Sequence, residues 1–489
     1  MSEHDEQQQN RQTRRGFLIS SAAAAALAAA AGVTGAAPAP ATAKSSTKPA
    51  TSRMSREERQ KQQAAKPIAT SRSKYNQINV AFIGIEGQGG TNLRGMAEAG
   101  ANVFALCDID SDKLDRRKKD FPNAKYYSDF RDMLDKEKNI DAVVVATPDH
   151  CHAPAAMMAM KLGKHVYCEK PLTHDIHEAR TLTNAARKYG IKTQMGNQGA
   201  ATEAARRQVE YIRSGLLGRV KEVHFYTDRP IWPQGLSRPT KEGPIPTNIN
   251  WDVWLGPAPY HPYHVDDSGK SVYHDFKWRG WWDFGTGALG DMACHIMNTA
   301  FWGLNLTNPT SVESLYSDKT DVQAPNWSLI KYEFPKLGQR EAVNCFWYDG
   351  KLLPPYSLLQ GKRFPGQAAD NWGSPNGTIL VGEKGTLICP YMENPYFAND
   401  QQQKEHKPPE KHVPRSIGHR EEWLESILGG PPAASAFDHA GPLTEMVLLG
   451  NLAVRTGRKI DWDYKDAKVR NDFEAQKYVK REYRKGWEL

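Results

Sequence analysis

Apolar residues enter the chain in short bursts from residue 78 onward. They run Ile78 to Ile83, Val103 to Cys107, Val143 to Ala146, His165 to Cys168 and Thr193 to Met195. Bursts of this length with so little polar interruption predict strands buried on both faces. Longer amphipathic runs lie between them: Asn92 to Ala99, Ser111 to Asp120, Ala153 to Leu162 and Ile176 to Tyr189. Gly100, Gly163 and Gly190 stand just past three of these runs, where a helix ends in a left-handed residue. Strand alternating with helix predicts a parallel sheet with right-handed crossovers over residues 76–200. The period then changes. Val220 to Thr227, Ser328 to Phe334, Glu341 to Tyr348, Thr378 to Val381 and Gly385 to Cys389 alternate polar with apolar, which predicts a mostly antiparallel sheet within 201–489. Helices are expected at Glu203 to Ser214, His419 to Ile427 and Leu443 to Arg455, and an exposed loop over 390–414.

The first 75 residues follow neither period. Arg14-Arg15-Gly16-Phe17-Leu18 precedes an alanine-rich run, and Ala41-Thr42-Ala43 offers small residues for cleavage. Paired arginines before a weakly apolar stretch predict a twin-arginine export signal over 1–43, and so a periplasmic or secreted protein. The run is too short and too rich in Ala and Gly for a membrane span, so none is expected after processing. Residues 44–75 are polar and basic and predict a flexible linker. The net charge of +8 is spread along the chain, and no basic run alternates with aromatics, which argues against nucleic acid as a partner. The six cysteines, at 107, 151, 168, 294, 345 and 389, form no Cys-x-x-Cys pair and are expected as buried free thiols.

Chemistry enters at the strand ends. The first strand runs into Gly84-Ile85-Glu86-Gly87-Gln88-Gly89-Gly90, a helix follows, and the second strand ends at Asp108, 24 residues after Gly84. Glycines let a backbone approach a pyrophosphate, a helix N-terminus stabilises its charge, and an acid takes the ribose hydroxyls. Gly84, Gly87, Gly89 and Asp108 are therefore candidate dinucleotide contacts. Glu86 occupies a position where glycine is usual, and its carboxylate must turn away from a bound phosphate. The acid favours NAD over NADP, although Arg116 and Arg117 lie near enough in sequence to reach a 2′-phosphate. Other strand ends supply Thr147, Pro148, His152, Glu169, Lys170 and Asn197 as expected lining of the same crevice. His150 and His152 have no cysteine or acid partners at ligand spacing, so no metal site is expected.

Asp291 and His295 stand four apart after the glycine run Gly285 to Gly290, on one face of a predicted helix. They read either as a general-base pair or as a satisfied structural pair. The long aromatic stretch 228–285 includes Trp278, Trp281 and Trp282, which suit either stacking on a sugar or ordinary core packing.

Taken together, the Gly84–Gly90 turn, the Glu169-Lys170-Pro171 segment and the Asp291/His295 pair resemble the Gfo/Idh/MocA family of nucleotide-dependent oxidoreductases. The Trp278–Gly287 stretch and the closing Arg484–Trp487 segment resemble its secreted bacterial branch. The resemblance implies an N-terminal Rossmann domain and an α+β domain with a large open sheet for substrate binding and homo-oligomer formation. It implies Lys170 as the catalytic lysine, His295 as acid/base and Asp291 as its partner, a cis Lys170–Pro171 bond, and a carbohydrate substrate held by Asp291, His295 and the three tryptophans. Asn298 stands where the family often has an aspartate. Two activities are expected from these residues: oxidation of a sugar or polyol hydroxyl with tightly bound NAD, or glycoside hydrolysis by transient oxidation and elimination.

Overall fold

The computed structural model describes residues 74–318, 321–367 and 375–489. The export signal and the linker as far as residue 73 lie outside the described residues. The last two linker positions do not behave as linker. Lys74–Gln77 is a helical turn, and Tyr75 is buried against Trp423 and Leu424 with its hydroxyl donating to Glu425 at 3.0 Å.

The first sheet has the strand order β3-β2-β1-β4-β5-β6, all parallel, with β1 Asn79–Ile83, β2 Asn102–Cys107, β3 Lys125–Tyr127, β4 Ala142–Val145, β5 His165–Glu169 and β6 Thr193–Gly196. This is the doubly wound Rossmann order, in which the crevice opens between β1 and β4. The strands form because their side chains are buried on both faces; β4 is buried at every position. Strand β3 and the helix Phe130–Lys136 are absent from the sequence expectation. Three and seven residues, respectively, are too few to establish a period.

The second sheet has nine strands in the order β13-β12-β11-β7-β10-β9-β8-β14-β15. Their ranges are β7 Val220–Tyr226, β8 Ser311–Ser317, β9 Ser328–Phe334, β10 Val343–Tyr348, β11 Gly377–Gly382, β12 Gly385–Pro390, β13 Tyr396–Phe397, β14 Ile460–Asp463 and β15 Lys468–Val469. Among the described residues of this sheet, only β7 and β10 pair in parallel. The expected exposed loop over 390–414 is mostly exposed, but it is tethered and partly structured. It contains β13 and the helix Asp400–Glu405, and buried Glu210 accepts from the backbone N–H of His412 and Val413.

Helix Phe437–Thr456 joins the two sheets. It passes through Pro442, where a sequence reading stops, and its residues are buried on nearly every side. Gly441 lies so close to helix Ile176–Tyr189 that an added Cβ would meet Thr183 Oγ1 at 2.0 Å; at Gly450 it would meet Tyr332 Oη of β9 at 2.2 Å. All six cysteines are buried and free. No helix among the described residues is long and apolar enough to cross a membrane.

Candidate active site

The parallel order brings the ends of β1, β4, β5 and β6 side by side, so residues far apart in sequence share one crevice. The glycine turn fills its floor. Gly84 has φ +82°, and a Cβ there would sit 2.5 Å from Ala146 O. Gly89 lies in the first turn of helix Gln88–Ala99, which starts one turn earlier than its apolar spacing suggests. A Cβ on it would sit 2.1 Å from Gly84 O. Gly87, at the N-cap with φ +56°, has nothing within 4 Å of such a Cβ. The turn is thus packed tightly from behind and open in front, which is the cradle a pyrophosphate needs. Glu86 is turned out of the way, with Oε1 3.6 Å from Arg116 and 3.4 Å from Arg117. Arg117 also donates to Asp120 and to Ile85 O.

Asp108 closes the far end. Its carboxylate accepts from the backbone N–H of Ile85 and of Asp110, each at 3.1 Å. Lys113 sits beside it, paired with Asp275 at 3.1 Å and Asp110 at 3.9 Å. Thr147 and Pro148 are half-buried at the rim. Glu169 is buried under the crevice. Its Oε1 accepts from Asn92 at 2.7 Å and Gln198 at 3.0 Å, and its Oε2 has no donor among the described residues. A closely packed glycine turn, an acid at the ribose end and an orphaned carboxylate oxygen together fit a dinucleotide.

Two expected cofactor contacts are corrected. His152 is buried, and its ring nitrogens lie 2.8 Å from Pro171 O and 2.9 Å from Thr147 O. It ties two strand-end loops together and has no free edge for a nucleotide. Asn197 is fully buried, with both ends of its amide engaged: Oδ1 lies 2.9 Å from His295 Nδ1, and Nδ2 donates to Cys294 O at 2.7 Å.

The charged centre lies where β5 meets helix Gly287–Ile296. The Lys170–Pro171 bond is cis. Lys170 Nζ donates to Asp291 Oδ1 at 2.7 Å and to Asp291 O at 2.8 Å. Arg279 Nε lies 3.6 Å from the same carboxylate oxygen. Burial opposes charge on Asp291, but Lys170 and Arg279 outweigh it and hold the carboxyl at about 2. Burial, reinforced by the Lys170 charge, pushes the His295 imidazole down to about 3, so it is neutral at neutral pH. The expected Asp291–His295 pair is therefore corrected. Spacing puts both on one helical face, but the lysine and arginine claim the aspartate, and Asn197 takes the histidine.

Asp149, Arg279 and Tyr391 join this centre without having been singled out from the sequence. Asp149 accepts from Thr286 Oγ1 at 2.6 Å, and burial pushes its carboxyl up to about 7 despite Thr286 and Lys170. The Tyr391 ring lies 5.5 Å from that of His295. Arg279 carried a faint signal, a cation inside an aromatic run; Tyr391 had none.

The three tryptophans do not face the crevice. Trp278 and Trp281 belong to an aromatic core with Trp251, Trp254, Tyr273 and Phe284, and Trp282 is buried in the main core. Each burial removes on the order of 200 Å² from water, roughly 5 kcal/mol at ~25 cal/mol/Å². A stacking face left in solvent forgoes most of that. Trp278 reaches the site only through Arg279, whose guanidinium lies 4.4 Å from its ring.

Residues 78–197 match the model of an oxidoreductase family with an NAD-binding Rossmann fold, and residues 211–339 match the C-terminal alpha/beta domain of the same family. The chain belongs to the Gfo/Idh/MocA oxidoreductases. Over 151 residues it is 27% identical to an inositol 2-dehydrogenase of Salmonella typhimurium, covering 30% of this chain and 45% of that protein. Over 157 residues it is 26% identical to a glycosyl hydrolase family 109 protein of Shewanella pealeana, covering 30% and 34%. The matched stretch thus spans less than half of either curated relative. The WlbA dehydrogenase of Bordetella pertussis, solved with NADH and UDP-GlcNAcA, shares the fold with a TM-score of 0.55 at 17% identity, over 79% of this chain and 99% of that one.

Proposed function

We propose that this protein oxidises a hydroxyl of a sugar, polyol or sugar derivative, using NAD that it holds tightly. The observation that carries the reading is the arrangement at the end of β5. Lys170 gives two of its three N–H bonds to Asp291 and keeps one, next to a neutral His295, beside a glycine cradle. The neutral imidazole takes the hydroxyl proton. The remaining lysine N–H is placed to stabilise the oxygen as it becomes an alkoxide and then a carbonyl. Asp291 fixes the ammonium in that position. A bound nicotinamide supplies the hydride acceptor. Proton transfer by a placed base is worth ~10²–10⁴-fold. The inositol 2-dehydrogenase similarity supports a polyol or sugar as the donor.

Asp108, Asp110 and Asp275 crowd the ribose end, and Lys113 is already paired there, which supports NAD over a 2′-phosphorylated cofactor. Tight binding is supported by a second strip of chain. Residues 248–250 pair with 109–111: Ser111 N donates to Asn248 O at 2.9 Å, Asn250 N to Ile109 O at 2.8 Å, and Asn248 Nδ2 to Asp110 Oδ1 at 2.8 Å. This strip would flank the ribose end of a bound nucleotide from outside the first sheet. An enzyme exported folded, as the Arg14-Arg15 signal suggests, gains from carrying its nucleotide with it.

The similarity to the family 109 glycosyl hydrolase favours a second reading, redox-neutral cleavage of a glycoside with the nucleotide restored each cycle. One experiment separates the two. The mature protein is purified without nucleotide, desalted, examined by mass spectrometry for bound NAD, and assayed on polyols and glycosides. Retained NAD with a carbonyl product supports the first reading, and retained NAD with a free sugar and no net reduction supports the second. Protein that leaves the column empty and binds NAD only transiently overturns tight binding.

A further inference from the structure

We propose that Asn197 is the positioning residue that locks His295 in its Nδ1–H tautomer, leaving Nε2 as the atom that takes the substrate proton. Hydrogen-bond polarity fixes the tautomer of the neutral ring. Asn197 is fully buried, so its amide has no water to turn toward. Its Nδ2 stands 2.7 Å from Cys294 O, and a carbonyl oxygen only accepts. The amino end of the amide is therefore the end at Cys294. Its Oδ1 must be the atom 2.9 Å from His295 Nδ1, and that oxygen too only accepts. Nδ1 must donate. A neutral imidazole carries one N–H, so Nε2 holds the lone pair.

The backbone makes the lock rigid. Asn197 follows directly on β6, its N–H donates to Met195 O at 2.7 Å, and its carbonyl accepts from Ala200 N at 2.9 Å. Cys294 is the neighbour of His295 on helix Gly287–Ile296, so one amide grips both the backbone and the imidazole of the same turn. The aspartate one turn earlier is engaged elsewhere, its Oδ1 accepting from Lys170 at 2.7 Å. Among the described residues, Nε2 has no hydrogen-bond partner, and His295 lines a small cavity with Tyr391, Gly199 and Thr378. When the substrate O–H bond breaks, its proton forms the N–H bond at Nε2. The resulting imidazolium keeps its Nδ1–H on Asn197, and the electron pair left on oxygen forms the C=O bond; a bound oxidised nicotinamide would accept the hydride that leaves carbon.

The proposal rests on His295 as the base, but its test does not require turnover. Protein labelled with ¹⁵N-histidine is studied by NMR near neutral pH, with the His295 signals identified by their loss in His295→Gln. The expected spectrum has a protonated Nδ1 and an unprotonated Nε2. In Asn197→Leu, judged folded by its thermal melt, the Nδ1–H signature is expected to disappear in favour of the Nε2–H form or fast exchange. A protonated Nε2 in the wild type overturns the proposal, as does an unchanged signature in a folded Asn197→Leu. If that variant does not fold, the wild-type spectrum still decides.

Discussion

Lys170 carries three N–H bonds, and Asp291 takes two of them, so the lysine is aimed as well as charged. Replacing it with alanine should lower turnover on the preferred polyol or sugar by ~10²–10³-fold, as for other preorganised donors to a developing oxyanion. Bound nucleotide, read by mass spectrometry of the desalted protein, should stay unchanged; equal loss of both would make the lysine structural. Asp149 yields a second prediction. Its folded carboxyl titrates at about 7, well above an unfolded aspartate. Between roughly pH 4 and 7 the unfolded chain has released this proton while the folded chain keeps it. Stability from this group is therefore present at low pH and lost as pH rises, by up to ~1.4 kcal/mol per pH unit, then levels off above 7. Asp149→Asn should flatten that part of the stability–pH curve, measured by urea unfolding at pH 5 and pH 7.5. A variant curve parallel to the wild type would place Asp149 among ordinary carboxylates.

At the scale of one element, helix Gly287–Ile296 shows why its glycines matter. Gly287, at φ +68°, needs left-handed backbone and lies against Ala324, while Gly290 lies against the helix's own N-cap, Thr286. A Cβ on Gly290 would lie 1.8 Å from Thr286 Oγ1, the atom that donates to Asp149. Gly290→Ala should force Thr286 to rotate, break that bond and destabilise the fold by ~1–3 kcal/mol, the usual cost of overpacking. Turnover should fall with it, because the same helix carries Asp291 and His295. Unfolding midpoints and kcat within error of the wild type would show that the turn relaxes freely. The glycine run was legible in the sequence as a helix entry. The contact with Thr286 was not, because it depends on how tightly the first turn is wound.

For the whole molecule, the closing segment returns to the first sheet. Arg481 donates to Glu178 at 2.5 and 3.0 Å and to His150 O at 2.6 Å, and Tyr483 donates to Glu178 at 3.0 Å. The Glu178 side chain is fully buried. Arg481→Ala would leave that carboxylate without its cation, which costs ~3–5 kcal/mol for buried pairs. The expected result is a large drop in the denaturant midpoint, with NAD retained below the transition. A drop under about 1 kcal/mol would mean that water or Tyr483 replaces the guanidinium.

The sequence by itself determined the first sheet apart from β3 and the change to antiparallel strands, and it directed attention to the strand ends. Each rests on local facts: continuous apolar runs, glycines at helix ends, and charged residues where strands stop. Helix Ile176–Tyr189, helix His419–Ile427 and strand β9 fall where the spacing predicts them. Only the tertiary structure decided partnership. Asp291 and His295 share a helical face by spacing, yet Lys170 arrives from β5 and Asn197 from β6 to claim one each. Trp278, Trp281 and Trp282 could have faced a sugar or a core, and burial of their large apolar area decided for the core. Pairing energy depends on what else approaches within hydrogen-bond distance, and residues 98 and 121 positions apart meet only when the sheets are assembled.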